Sequence, residues 1–306
     1  MNDLRRLLLS LLLLLSLAAF AQTSSGPDDR QPTDPKSVVS GTNANARPIP
    51  VEDLFFTRSV SNPSWSPNGR EIVFTTDMTG RNNLWKVNAD GGWPIQMVQS
   101  DDREYGEVWS PDGKWIVYQQ DSGGNELWDI FAIPADGGQV VNLTDTPNIR
   151  EESPLWSPDG KTIALNTKPK DGTVYDLSLL DWATRKVTPL THEETKNHSW
   201  SSIAWSPDGK TIYANRVEVS FGDADIYAVD VATGKTTNLT PHEGKVLYLA
   251  SSLSPDGRTV LLTTTQKDGY QNVALLDVAS KKLTFATDTK WEANSADFSP
   301  DGKHFT

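Results

Sequence analysis

The chain has no cysteine at all, which excludes disulfides, thiolate metal sites and a cysteine nucleophile. Small exported proteins need disulfides chiefly when they cannot build a core, and 306 residues is long enough to build one. The sequence contains no G-x-S-x-G, so the nucleophile elbow of an α/β-hydrolase is missing. Its four histidines, His192, His198, His242 and His304, form neither H-E-x-x-H nor a tight His/Cys set. Basic residues are also scarce, with 28 Lys and Arg against 40 Asp and Glu and a net charge of −12. That balance argues against nucleic acid as a partner, because binding its backbone needs a basic face. No like-charged run exceeds two residues, so the acids read as a solvated surface.

Long apolar runs are missing as well, with one exception at the start. Residues 1–21 combine a short basic stretch, "MNDLRR", with the 14-residue run "LLLSLLLLLSLAAF" and the small-x-small site Ala19-Phe20-Ala21. The run is short for a bilayer span, and its flanks suit cleavage, so residues 1–21 are expected to be a signal peptide. The expected location is periplasmic or secreted, with no membrane attachment after cleavage. Setting those residues aside removes Asp3, Arg5 and Arg6 and leaves 26 basic against 39 acidic residues, a net charge of −13. Residues 22–47 are rich in Ser, Pro, Asp, Asn and Gly, and are expected to be a flexible leader that buries too little to order itself.

What the chain has in abundance is repetition. "WSPDGKTI" stands at Trp156–Ile163 and again at Trp205–Ile212. Near copies begin at Trp65, Trp109, Leu253 and Phe298. The serines of the six copies, at 66, 110, 157, 206, 254 and 299, are 44 to 49 residues apart. A period in the forties predicts stacked supersecondary units. Each unit repeats one grammar. A short strand ends in a large apolar residue, "SPDG" turns the chain, and a second strand such as "KTIALNT" alternates as if half-buried. A third strand ("ELWDIFAI", "DADIYAVD") and a short fourth, often ending in "NLT", complete the unit.

Four strands per period predict an all-β chain, a β-propeller of four-stranded blades over residues 48–306, with five complete repeats and the start of a sixth. The expected ring is incomplete, since most such rings have roughly six to eight blades. Trp65, Trp109, Trp156, Trp205, Leu253 and Phe298 are expected to pack between neighbouring blades. Gly69, Gly113, Gly160, Gly209, Gly257 and Gly302 are expected where the turn needs a positive φ. All are scaffold positions, and turn chemistry alone accounts for the "SPDG" aspartates.

Candidates for function are few. No catalytic, metal-binding or cofactor-binding residue is assigned, and no cofactor is expected. Glu151-Glu152 and Glu193-Glu194, paired acids on connections between units, are weak candidates for a channel mouth. Asp223 and Asp225 in "GDADIY" could be read as a cation pair, but the loop lacks the rest of a calcium-loop pattern.

The repeated "WSPDGK" units resemble the exported WD-like propellers of TolB-like proteins and of the prolyl oligopeptidase family of serine peptidases. "QDSGGNELWDIFAIPADGG" (Gln120–Gly138) followed by "NLTDTPN", and the lead-in "VEDLF", resemble the dipeptidyl aminopeptidase and acylaminoacyl-peptidase members. That resemblance implies a ring that gates short peptides toward a C-terminal α/β-hydrolase domain, which this chain lacks and which carries the family's Ser, Asp and His. The family's glutamates for a peptide amino terminus lie in an Asp-Trp-x-Tyr-Glu-Glu pattern that is missing here, so the glutamate pairs do not inherit that role. Two alternatives stand beside it: a TolB-like periplasmic propeller that binds envelope proteins, and an open propeller that acts as an interaction module. The expected partner is accordingly a peptide substrate or another protein.

Overall fold

Why a second strand such as "KTIALNT" carries three apolar residues in a row is answered by what lies on either side of it. A computed structural model describes residues 58–306, and the expected signal peptide, the expected leader and residues 48–57 of the expected propeller lie outside the described residues. Five antiparallel four-stranded sheets follow one another along the chain, with no helix among the described residues. Sheet 1 comprises β1 (Val60–Trp65), β2 (Glu71–Thr76), β3 (Asn83–Asn88) and β4 (Ile95–Gln96). Sheet 2 comprises β5 (Glu104–Trp109), β6 (Trp115–Gln120), β7 (Asp129–Pro134) and β8 (Val141–Asn142). Sheet 3 comprises β9 (Ile149–Trp156), β10 (Thr162–Pro169), β11 (Asp176–Asp181) and β12 (Val187–Pro189). Sheet 4 comprises β13 (His198–Trp205), β14 (Thr211–Glu218), β15 (Ala224–Asp230) and β16 (Thr236–Asn238). Sheet 5 comprises β17 (Tyr248–Leu253), β18 (Thr259–Thr264), β19 (Asn272–Asp277) and β20 (Leu283–Phe285). The sixth unit begins with the same turn, and Phe298 bridges Phe305 across it.

The sheets are blades. The first strands of successive sheets contact one another, whereas β4, β8, β12, β16 and β20 contact only the third strand of their own sheet. First strands therefore lie toward a common axis and fourth strands at the rim. Sheets 1 and 5 make no strand contact with each other, so the arrangement is open. Hydrophobic cores lie between blades. Ile163 and Leu165 pack with Val117 and Ile130 of sheet 2, while the intervening Ala164 packs with Trp205 and Ile212 of sheet 4. All three, Ile163, Ala164 and Leu165, are 0% exposed. The expectation of a half-buried alternating strand is thus corrected. A strand covered on both faces needs an apolar residue at every position, as buried strands generally do.

The "SPDG" turns form as their chemistry demands. In each, the glycine N–H donates to the serine carbonyl, as Gly160 does to Ser157 at 2.9 Å, with glycine φ between 68° and 73°. The serine hydroxyl donates to the aspartate (Ser157 to Asp159, 2.8 Å), and that carboxylate accepts the next-but-one N–H (Lys161, 3.1 Å). These bonds, the serine hydroxyl first, hold the Asp159 carboxyl below its ordinary range. The turns also stack on one another. A Cβ on Gly257 would lie 2.5 Å from Cδ of Pro207, the proline of the preceding turn.

The anchor positions do not all behave alike. Trp109 and Trp205 are buried, and their indole N–H groups donate to Ser64 O (3.1 Å) and Leu155 O (3.0 Å) of the preceding blade. Leu253 and Phe298 are half-buried, Leu253 against the core between sheets 4 and 5. Trp156 is half-buried and tilts against Trp182 at 5.0 Å, which stands where sheets 4 and 5 have the smaller Val231 and Val278. Trp65 is 58% exposed, because sheet 1 has no described sheet on that side.

A second lock joins the blades through polar groups. Each first strand has a register shift midway, which frees a backbone N–H from the ladder. Those of Ser153, Ser202 and Ala250 donate to Gln119, Asn166 and Asn215 on the preceding blade's second strand, at 3.0, 3.0 and 2.8 Å. Between sheets 1 and 2 the equivalent partners are Thr75 and the buried Glu107, at 3.0 and 2.9 Å.

Candidate functional site

Antiparallel blades have two ends. The "SPDG" and third-to-fourth-strand turns share one end. The second-to-third-strand hairpins and the connections to the next blade share the other, where the sequence departs most from its own repeat. The four candidate glutamates map to this loop end but take separate roles. Glu194 is exposed. Glu193 is buried and accepts Arg216 Nε and Nη2 at 2.8 and 3.0 Å. Burial opposes its charge, but Arg216 and Thr195 together hold its pKa down to about 2. This pair ties the connection after sheet 3 to β14.

Glu151, 1% exposed, accepts the Thr146 hydroxyl through one oxygen, and its other oxygen has no hydrogen-bond partner. Burial pushes its pKa up to about 7. The equivalent first residue of β5 is Glu104, fully buried and bonded by Ser100 Oγ (2.5 Å) and Leu84 N (3.0 Å), and burial raises it too. In sheets 4 and 5 the same position holds Trp200 and Tyr248. The position accepts a buried acid or an aromatic ring, so it carries no common chemistry around the blades.

Glu152 faces a cavity. Paired to Arg150 at 2.5 Å, it borders a space of about 380 Å³ between sheets 3 and 4, walled by Tyr175, Trp200, Val217, Val219 and Phe221. The walls come from the end of the sheet 3 hairpin, from β13 and from the β14–β15 hairpin. Trp200 is 5% exposed and meets the Tyr227 ring edge-on at 5.1 Å, so that wall is fixed. Phe221 is 75% exposed and has φ 56°, a left-handed backbone that bulky residues rarely adopt. Sequence reasoning missed Tyr175, Trp200 and Phe221. The signal available was their departure from the repeat, such as an aromatic in "EVSFGD" where the hairpins of sheets 3 and 5 carry "KDG".

His242 and the aspartate pair resolve into one feature. His242 Nε2 lies 2.9 Å from Asp223, and Nδ1 lies 3.2 Å from Asp225 and 3.0 Å from the Thr240 carbonyl. Burial works against the imidazolium, but Thr240, Asp223 and Asp225 outweigh it and raise the pKa above the ordinary value. The space between the two aspartates is filled by the protein's own imidazole ring. Among the described residues no cluster of three or more His, Cys, Asp or Glu is arranged to hold a metal.

Comparison with known proteins places this architecture. The sequence matches the TolB beta propeller domain family over residues 51–202 and 146–306, so the matches span nearly the whole chain after the leader. The chain belongs to the TolB beta propeller domain family. Within it, the relatives point two ways. One is the Tol-Pal system protein TolB of Anaeromyxobacter dehalogenans, 32% identical over 97 residues, 31% of this chain and 22% of that protein. Another is dipeptidyl aminopeptidase BIII of Pseudoxanthomonas mexicana, 25% identical over 163 residues, 52% of this chain and 23% of that protein. The chain's matches thus span under a quarter of the length of either relative. Among solved structures, one from a study of two prolyl endopeptidases superposes with a TM-score of 0.61 at 18% identity, over 80% of this chain and 38% of that one. At that identity the likeness is one of fold.

Proposed function

We propose that this chain is the substrate-facing ring of an exported serine peptidase of the prolyl oligopeptidase kind, acting on short peptides. The observation that carries the reading is the loop-end cavity between sheets 3 and 4. It combines an apolar wall with a carboxylate at its border, beside the inner strand β13, whose outward N–H groups at Trp200 and Ser202 are taken by Tyr175 O and Asn166 Oδ1. Those are features that a side chain of a short peptide meets well, since small-ligand pockets are largely apolar with a few polar groups at the edge. The longer match to dipeptidyl aminopeptidase BIII supports it. On this reading the nucleophile and its base belong to a separate α/β-hydrolase domain, and this chain binds and admits rather than cleaves.

A TolB-like role, docking a folded envelope protein, is favoured instead by the higher identity to TolB over its shorter span. The test uses the native polypeptide, recovered from the source cells with an antibody raised against this chain. It is treated with a fluorophosphonate probe and with dipeptidyl nitroanilides. Labelling and hydrolysis are expected, together with recovery from the exported fraction. An unlabelled, inactive polypeptide that co-purifies with an envelope protein overturns the peptidase reading and supports the TolB-like one.

A further inference from the structure

The cavity under the β14–β15 hairpin has a feature that the ring's role does not by itself require. The hairpin turns through Val219, Ser220, Phe221 and Gly222, and Phe221 N–H donates to Glu218 O at 2.8 Å to close it. The residue at Phe221 adopts φ 56°. A turn that had only to reverse the chain would take glycine or asparagine there, which enter left-handed backbone at little cost. Phenylalanine takes the strained position with three-quarters of its surface in solvent, and Val219 beside it is 48% exposed. Two exposed apolar side chains are held over a pocket whose inner wall includes the buried Trp200 and the half-buried Tyr175. The blade scaffold gains no packing from Phe221, so its benefit is sought in what enters the cavity.

The occupant follows from three observations. The space, about 380 Å³, falls at the lower end of small-ligand pockets, large enough for one bulky side chain and its flanking backbone. Its carboxylates, Glu152 and Glu218, are already paired, to Arg150 and Lys245, each at 2.5 Å, so the unspent chemistry is apolar. Along its inner side runs β13, whose outward Trp200 and Ser202 N–H groups already donate to Tyr175 O and Asn166 Oδ1, so a ligand is held there by its side chain rather than by strand pairing. We infer that the cavity is a subsite for a bulky apolar side chain, leucine or phenylalanine, of a peptide, and that Phe221 sets this preference. The inference rests on the peptide reading above and names the class of residue that the ring selects.

The test needs no hydrolysis, so it stands apart from the peptidase experiment. The full chain is titrated, by NMR or calorimetry, with end-blocked tripeptides that carry leucine or alanine at the centre. Leucine is expected to bind at least about tenfold more tightly, the scale on which apolar pockets discriminate. Phe221→Asn keeps the left-handed turn and removes the aromatic wall, and is expected to erase most of that ratio while leaving the melting curve in place. Tyr175→Ala, on the opposite wall, is expected to do the same and guards against a peculiarity of the hairpin. Equal binding of the two peptides overturns the inference, as does a leucine preference that survives both substitutions. A labelled peptidase without the preference removes the subsite alone. A preference in a polypeptide that no serine probe labels removes the peptidase alone.

Discussion

The turn end and the loop end of this molecule are built from the same strands and read very differently. At the turn end six copies of one sequence give one geometry, with glycine φ confined between 68° and 73° and each proline set against the next glycine. At the loop end equivalent positions hold a buried glutamate in two blades, a tryptophan in one and a tyrosine in another, and one hairpin lifts a phenylalanine into solvent. Uniformity marks where blades must fit one another, because a blade cannot cover its own faces. Departure from the repeat marks where the molecule is free to do something else.

Four substitutions or conditions separate the two ends, beginning with the largest effect. Arg216→Ala leaves the buried Glu193 carboxylate without its partner and is expected to cost about 3–5 kcal/mol in chemical denaturation. Its pH signature follows from the depressed pKa. Glu193 contributes stability above the ordinary glutamate value of 4.5, lost as pH falls toward about 2, and the variant lacks that acid limb.

Next come Glu107 and Glu151, which burial pushes up to about 7. Their pKa is higher folded than unfolded, so the folded state holds extra protons and stability falls as pH rises from 4.5 to about 7. Each acid accounts for about 3 kcal/mol across that window. Glu107→Gln is expected to flatten its share, measured by urea titration at pH 4.5, 6 and 7.5. His242, raised in the fold, acts in the same direction, since its stabilisation is present below 6.5 and lost as the ring deprotonates.

Third, Gly257→Ala sets a Cβ against Pro207 in a left-handed turn and is expected to cost about 2–3 kcal/mol. Gly123→Ala, at φ 61° with nothing within 4 Å, is expected to cost about 1 kcal/mol and serves as its control. Smallest is Phe221→Asn, expected to change stability by less than about 0.5 kcal/mol, because the side chain packs on little and asparagine suits the turn. A large loss there would make Phe221 part of the scaffold and collapse the distinction between the ends.

The same contrast governs what was legible in the sequence. "SPDG", the four-strand period and the Trp109 and Trp205 anchors could be read because their causes are local: a turn's φ, a strand's length, an indole at a blade face. The second strands, expected to be half-buried, are covered on both sides, since the sequence of one blade does not reveal its two neighbours. The lock from Gln119, Asn166 and Asn215 was equally periodic in the sequence. It went unread because amides in a strand signal nothing until the partner N–H, 34 to 36 residues further on, is in view. The cavity was illegible for a related reason. Tyr175 and Phe221 come from two hairpins and Trp200 from β13, which only the stacking of sheets 3 and 4 brings together.

The most direct test of the central claim, that the loop end of sheets 3 and 4 is where this chain meets a peptide, is photo-crosslinking. The full chain is irradiated with an end-blocked tripeptide that carries benzoylphenylalanine at its centre, and the adducts are mapped by mass spectrometry. The account predicts adducts on Tyr175, on Ser199–Ser201 and on Val217–Phe221, competed away by the leucine tripeptide. Adducts on the "SPDG" turns, or none beyond the unirradiated control, would contradict it.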